Sequence, residues 1–298
     1  MTLSFHEHGR PIMDIAACTG CGKCADICPD EVFSITGGKA VAGLGKFVGC
    51  IACGQCVAVC PSEAIEVKGR GMTIGDRIAL PKPDQRATAD QLDALLIARR
   101  SVRRYKEQEI SRVIVDRILA AVTTAPMGIP PSNVGVLVLH GREKVRRFAA
   151  DACDSFKRLL KRMNPLIMGF MRLTMKKADY QAMRDFVVPL LKYLTNMNER
   201  GLDRFVYDAP AVLLFHYGPT DDAADSHIAT TYAMLAAESL GLGSCMIGST
   251  EALGHDKKWR QKYGIPAENK IGLALTLGYP AVVYHSAIRR RLASVKIV

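Results

Sequence analysis

Cys18-Thr19-Gly20-Cys21-Gly22-Lys23-Cys24-Ala25-Asp26-Ile27-Cys28-Pro29 is answered further along the chain by Cys50-Ile51-Ala52-Cys53-Gly54-Gln55-Cys56-Val57-Ala58-Val59-Cys60-Pro61. Each run is C-x2-C-x2-C-x3-C-P. Three thiolates at i, i+3 and i+6 can wrap one face of an iron–sulfur cube. The fourth, just ahead of a proline, points away toward a cube nucleated by the other run. C-x2-C pairs also build structural zinc sites, but a zinc ribbon takes two thiolates from each run and does not need the proline. A disulfide framework needs an oxidising compartment. Met1 to Arg10 carries two histidines and an acid but no apolar core of an export signal. The spacing favours iron–sulfur clusters over zinc, and zinc over disulfides.

The double run resembles the bacterial two-cluster ferredoxin domain. That resemblance implies two 4Fe-4S clusters, one held by Cys18, Cys21, Cys24 and Cys60, the other by Cys50, Cys53, Cys56 and Cys28. Reduced thiolates and the absence of an export signal give a cytoplasmic expectation.

Outward from the cysteines, the chain of 298 residues is long enough for two domains. Its 49% hydrophobic and 23% charged content are those of a folded globular protein. No apolar run approaches a membrane span. The net charge of +11 is uneven: residues 1–80 hold 7 Lys and Arg against 8 acids, and the remainder 33 against 21. A basic domain can mean nucleic acid, but no nucleic-acid motif is present and aromatics are few. An anionic cofactor or an acidic electron-carrier partner suits the asymmetry better.

Strands are expected at residues 12–17 and 64–68, with a hairpin turning at Gly37-Gly38. Lys68 to Arg86, punctuated by glycine and proline, reads as a linker. The expected domains are 1–80 and 81–298. In the second, helices are expected at 88–98 with Thr88 or Asp90 as cap, and at 110–124, 225–240 and 253–263. Short apolar runs at 134–140, 211–217, 244–247 and 271–277 read as strands. Residues 143–205 form a Met-rich, basic stretch that Pro165 and Pro189 divide into three helices. Ordinary packing, a mobile lid and a membrane-surface helix are the readings open for it.

Arg99-Arg100-Ser101-Val102-Arg103-Arg104-Tyr105, then Ala125-Pro126, Asp208-Ala209-Pro210, Ala236 to Gly243 and Leu277-Gly278-Tyr279-Pro280 resemble, in that order, the FMN-dependent nitroreductases over roughly residues 90–291. The fold implied is α+β, a ferredoxin-like domain followed by an αβα sandwich on a mixed, mainly antiparallel sheet. The resemblance implies that Arg99 and Ser101 hold FMN phosphate or ribityl oxygens, that Arg103 approaches the ribityl and the ring's N1/O2 edge, and that Arg100 also belongs to the cofactor-binding set. Arg290, or its neighbours Arg289 and Arg291, would close on the phosphate. Ser132, Asn133 and Gly248 would contact the ring. The family's usual tryptophan after the second helix is missing, and the only tryptophan is Trp259. Members build the site across a homodimer, which the small-residue helix before Gly241 would suit.

No Ser/His/Asp or paired-carboxylate constellation stands out. The expectation is an oxidoreductase passing electrons from the clusters to FMN and on to a nitroaromatic, quinone or activated alkene. Reduced ferredoxin or NAD(P)H would be the donor. Reductive dehalogenation and a non-catalytic electron-transfer or redox-sensing module are the rival readings.

Overall fold

The computed structural model describes residues 7–128 and 133–298. The chain divides into two compact units. The first runs to Arg86 and takes in Met127, Gly128 and Asn133; the second holds Ala87–Pro126 and Val134–Val298.

In the first unit β1 (Arg10–Met13) pairs antiparallel with β4 (Ile65–Lys68). β1 stops earlier than the sequence suggests because the Asp14 carboxylate accepts the N–H groups of Ala16 and Ala17, at 2.9 and 3.1 Å, and turns the chain. β2 (Phe33–Thr36) and β3 (Lys39–Ala42) form the expected hairpin. Its two turn glycines, Gly37 and Gly38, both have positive φ, as a tight hairpin requires. α1 (Lys23–Ile27) and α2 (Gln55–Val59) each follow a left-handed glycine, Gly22 or Gly54. Helices this short cannot stand alone. They are held by a core of Val32, Phe33, Val57, Ile65 and Val67, in which Cys18, Cys24 and Cys56 are themselves buried.

The second unit is built on one sheet of order β5-β6-β8-β7. The strands are β5 (Gly135–His140), β6 (Ala211–Tyr217), β7 (Gly243–Ile247) and β8 (Lys270–Gly278), antiparallel throughout. Among the described residues the parallel component is a single bridge from Ser101 to Ser244. Alternation along β6 sorts the layers. Val212 and Leu214 face a core with α5 (Arg142–Arg162) and α8 (Val188–Glu199). Ala211, Leu213 and Phe215 face another with α4 (Arg112–Val122) and α9 (Ala223–Ser239). The result is the αβα sandwich. Ala229, Ala233 and Ala237 recur every fourth residue on the buried side of α9, allowing close approach to the sheet. α3 (Ala89–Ala98) starts at Thr88, whose hydroxyl and Gln91 form a capping box.

Two helical expectations change. Pro165 does open a helix, α6 (Pro165–Thr174). Pro189 does not break one. Lacking an N–H, it cannot bond back to Asp185. The backbone widens into a π-turn over Met183–Val187, and α7 (Lys177–Ala182) runs on into α8. The helix expected over 253–263 is split. A 3-10 stretch, Ser249–His255, precedes α10 (Lys257–Lys262), and Asp256 between them caps α10 by accepting from the Trp259 N–H at 3.1 Å. Trp259 is buried against Phe148, with ring centroids 5.7 Å apart, so the lone tryptophan is a core residue.

Asp256 also accepts from Arg158 Nε at 2.9 Å. Burial alone would raise its carboxyl. The Arg158 guanidinium, the Ser155 hydroxyl and the Trp259 N–H outweigh burial and hold it at about 2. An unfolded aspartate titrates near about 3.9. The native carboxylate therefore adds stability above that pH and loses it as the pH falls toward 2. Asp256→Asn should cost about 1–3 kcal/mol at neutral pH. In urea melts the gap from wild type should shrink steadily on acidification.

Candidate functional site

The cysteines fall into the two sets expected from the spacing. Cys28, Cys50, Cys53 and Cys56 line a cavity of about 250 Å³ walled by Val32, Phe33, Phe47 and Val67. Cys18, Cys21, Cys24 and Cys60 line another, of about 20 Å³. The backbone repeats with the sequence. Gly20 and Ala52 are both left-handed, as are Glu31 and Glu63. Gly20 could be nothing larger, since a Cβ there would sit 1.9 Å from the Gly38 carbonyl oxygen.

Main-chain donors face the sulfurs. Val32 N–H donates to Cys28 Sγ (3.5 Å), Ala64 N–H to Cys60 Sγ (3.3 Å) and Ala40 N–H to Cys18 Sγ (3.5 Å). Burial, and then the neighbouring Cys50 and Cys53 sulfurs, push the Cys56 thiol up to about 12. Such a set becomes fully thiolate when positive charge is placed among the sulfurs. Among the described residues no three His, Cys, Asp or Glu side chains are grouped as one metal ion would need. The sulfurs of Cys28, Cys50, Cys53 and Cys56 surround a space that suits a multi-atom cluster, whereas those of Cys18, Cys21, Cys24 and Cys60 close around a space little larger than one water.

In the second unit, the segment Arg99–Tyr105 is laid across the β7–β8 end of the sheet. Val102 N–H donates to the Ser244 carbonyl (2.9 Å), Lys106 N–H to that of Tyr279 (2.9 Å), and Ala281 N–H to that of Arg104 (2.9 Å). Tyr105 OH donates to the Val102 carbonyl at 2.7 Å and meets Thr276 Oγ1 at 2.6 Å. Two motif glycines make this possible. A Cβ on Gly243 would lie 2.6 Å from Val102 Cγ2, and one on Gly278 2.5 Å from the Tyr105 ring.

Arg99, Arg100 and Arg103 form no ion pair among the described residues, although one carboxylate lies within electrostatic reach of two of them. Arg99 and Arg100 are half-buried and face Glu238 of α9, whose carboxyl is raised by burial against the opposing pull of both arginines. Arg103 lies over the Tyr207 ring, 5.8 Å from its centroid. Ser101 is exposed, and the Ser244 hydroxyl next to it in the bridge is buried with no hydrogen-bond partner. Unspent cations, an accessible hydroxyl and an orphaned buried one are a set that suits a phosphate-bearing group.

Beside this segment opens a largely apolar cavity of about 690 Å³. Gly248 lines it, together with Met163, Met171 and Met183 from the Met-rich stretch and Met246 from β7. Arg204 and Tyr207 line this cavity and also a second, of about 890 Å³, that includes Arg103, Arg104, Arg142 and Arg146. Tyr207 and Asp208 both have positive φ, 59° and 51°. Two consecutive non-glycine residues in that region cost on the order of 1–3 kcal/mol each. Three anchors hold the turn. Asp203 accepts the N–H groups of Phe205, Val206 and Asp208 at 2.8–3.0 Å. Arg146 grips the Asp208 carboxylate with both nitrogens, at 2.6 and 2.9 Å, and buried Arg142 adds a third contact at 3.1 Å. Burial would raise the Asp208 carboxyl, but the two guanidiniums hold it low. Burial raises the Tyr207 phenol, leaving it a protonated donor.

Residues 96–279, well over half the chain, match the Nitroreductase family. The chain belongs to the nitroreductase family. Residues 14–65 match the 4Fe-4S dicluster domain, so a ferredoxin domain is fused ahead of the nitroreductase domain. A stretch of 30 residues is 53% identical to Ferredoxin-2 of Desulfomicrobium norvegicum, covering 10% of this chain; the match spans about half that relative's length, 51%. A nitroreductase with bound FMN from Bacteroides fragilis has the same fold, with a TM-score of 0.51, 21% identity, and coverage of 70% of this chain and 98% of that one. An FMN-dependent nitroreductase from Clostridium difficile is similar, with a TM-score of 0.50, 18% identity, and coverage of 70% and 100%.

Of the residues singled out in this nitroreductase domain, Arg99, Arg100, Ser101 and Arg103 share one segment, and Gly248 lines the adjoining cavity. Asn133 is half-buried just before β5. Ser132 lies outside the described residues. Arg289, Arg290 and Arg291 are exposed on the segment beyond Pro280. Sequence reasoning missed the Tyr207–Asp208 turn, Asp203 and the arginines at the start of α5. The only signal was Asp208 in its Asp-Ala-Pro motif.

Gly278→Ala should force the Tyr105 ring away and loosen the Arg99–Tyr105 segment. A loss of about 1–3 kcal/mol is expected from overpacking, seen as a lowered melting temperature. An unchanged melting temperature would mean the segment can shift freely.

Proposed function

We propose that the protein is an FMN- and iron–sulfur-dependent oxidoreductase that reduces a small electron-poor acceptor such as a nitroaromatic, quinone or activated alkene. One observation carries the reading: a segment of arginines that form no ion pair among the described residues is stitched beside a large apolar cavity lined by Gly248, at one end of a nitroreductase sheet. When bound, FMN supplies reduction by electron pairs and the clusters supply single-electron storage.

Arg99, Arg100 and Ser101 would hold the phosphate through charge-assisted hydrogen bonds. Arg103 lies over the Tyr207 ring that lines this cavity, and its charge would favour uptake of negative charge nearby. Met163, Met171 and Met183 line the wall and keep water away, while their flexibility suits acceptors of varied shape. Tyr207 offers a protonated hydroxyl as a hydrogen-bond donor. A cavity of about 690 Å³ favours an enzyme over a relay or sensor, which needs no such space. Ser132, Asn133 and Arg290 remain the proposed further flavin contacts, within a homodimer whose shared surface would use α9. Reduced ferredoxin is the proposed donor, with NAD(P)H as the alternative.

Two 4Fe-4S clusters predict about eight iron and eight sulfide per chain after anaerobic purification. Cys28→Ser should damage the cluster built on the second run, and Cys60→Ser the one built on the first. Stoichiometric zinc without charge-transfer absorption would overturn the assignment.

The electron route has its own test. A chain beginning at Asp84 should bind FMN and keep dithionite- or NAD(P)H-driven turnover of a nitroaromatic, yet lose turnover driven by reduced ferredoxin. Equal ferredoxin-driven rates with and without the first unit would remove the clusters from the route.

A further inference from the structure

The two cysteine runs repeat in spacing, but the cavities they line do not repeat in charge. Cys18 to Val32 match Cys50 to Ala64 one for one. Lys23 is matched by Gln55, and Asp30 by Ser62. All four are lining residues. Lys23 and Ser62 face the cavity of Cys18, Cys21, Cys24 and Cys60. Asp30 and Gln55 face that of Cys28, Cys50, Cys53 and Cys56. The first is lined by a cation and a hydroxyl, the second by a carboxylate and a neutral amide.

Among the described residues that line the second cavity, Asp30 is the only ionisable side chain besides the cysteines. It is 7% exposed. One of its oxygens accepts the N–H groups of Phe47 and Val48, at 2.8 and 3.2 Å, and the other accepts that of Gly49 at 2.7 Å. Both oxygens only accept, as an ionised carboxylate does. Among the described residues Asp30 forms no ion pair. Lys46 donates its backbone N–H to the Asp30 carbonyl at 2.9 Å, but gives its ammonium to Glu31 at 2.5 Å. Arg70 reaches Cys50 electrostatically. It does not line the cavity, however, and its guanidinium donates to the Glu7 carbonyl at 2.6 Å.

Tying the loop at Phe47 to Gly49 accounts for the hydrogen bonds but not for the charge, since a neutral amide oxygen also accepts from N–H groups. At the matched position Ser62 sets a neutral hydroxyl 3.7 Å from Cys60 Sγ. What the carboxylate adds is a negative charge beside the sulfurs, in a wall of buried Val32, Phe33 and Val67 where charges are weakly screened. Net charge and hydrogen bonds around the sulfurs set the potential of an iron–sulfur cluster. A fixed negative charge opposes the arrival of an electron.

We propose that Asp30 holds down the reduction potential of the cluster built on the second run. The inference rests on the cluster reading given above and assigns one residue a role within it. The cluster takes one electron from its donor and gives up the same electron. Asp30 makes and breaks no bond; its charge demands a stronger reductant to fill the cluster and makes the filled cluster a stronger one.

The test is a redox titration of the anaerobically purified full-length holoprotein with dithionite, followed by the EPR signal of reduced cluster. Asp30→Asn should keep its iron. At a fixed solution potential, the ratio of reduced to oxidised second-run cluster should rise about tenfold, or about 59 mV for one electron. Asp30→Ser, which copies the matched position, should shift the same wave by a similar amount although it gives up more of the loop contacts and melts lower. Gln55→Lys, which copies Lys23 and leaves the loop contacts alone, should also raise that wave. The proposal is overturned if both Asp30 variants keep their iron and the wave stays in place or falls. It is also overturned if both lose the cluster, which would leave Asp30 a tie for the loop alone. Fewer than about four iron and four sulfide per wild-type chain would instead bring down the cluster reading, and this inference with it.

Discussion

The nitroreductase site depends on two close approaches of a side chain to a glycine backbone. Val102 fits only because position 243 is glycine, and Tyr105 fits only because position 278 is glycine. Both contacts hold Arg99–Tyr105 against the sheet through main-chain hydrogen bonds and one buried phenol. The positions of the arginines are therefore set by the backbone, and no carboxylate is needed to hold them. That leaves their charge unspent, the condition a cation must meet if it is to bind an anionic group with any strength.

The first unit solves a different problem. A small domain buries a smaller share of its surface on folding than a large one and is correspondingly marginal. Here Cys18, Cys24 and Cys56 occupy core positions among valines and isoleucines. The thiols are thus part of the packing as well as a donor set. Loading the cavities would both neutralise the sulfurs and complete the interior, so that metal binding and folding share one free energy. The Asp30 carboxylate adds a local device. It accepts the N–H groups of Phe47, Val48 and Gly49, which ties the inserted loop to the end of the first run.

Much of this was legible in the sequence because the signals are local. The C-x2-C-x2-C-x3-C-P spacing fixes which sulfurs can share a face. Gly37-Gly38 and Gly241 after α9 are turn and cap signals with one physical meaning each, whereas the choice between Thr88 and Asp90 as the cap of α3 fell to Thr88 only in the structure. Strands at 134–140 and 211–217 were apparent as short apolar runs between breakers, the first beginning one residue later in the structure. What escaped is what the tertiary structure decides. Pro189 reads as a helix break, but the packed helix absorbs it as a π-turn. Asp256 reads as part of a helix, but Arg158, distant in sequence, turns it into a cap. Positive φ at Tyr207 and Asp208 leaves no mark in residue type, since neither is glycine. The Met-rich stretch showed its composition but not that Met163, Met171 and Met183 would face a cavity while Leu166 and Leu173 face outward.

The strained turn has an evolutionary consequence. Asp208 is gripped by Arg142 and Arg146, and its amide is held by Asp203. Losing Asp208 alone leaves Arg146 without its carboxylate and takes one contact from buried Arg142, while losing Arg142 alone leaves the turn to Asp203 and Arg146. Replacing the whole set with a glycine turn would remove the strain that these contacts hold in place. Among descendants of this sequence, positions 142, 146, 203 and 208 should drift as a linked group: retained together, or lost together with a glycine arriving at 207 or 208.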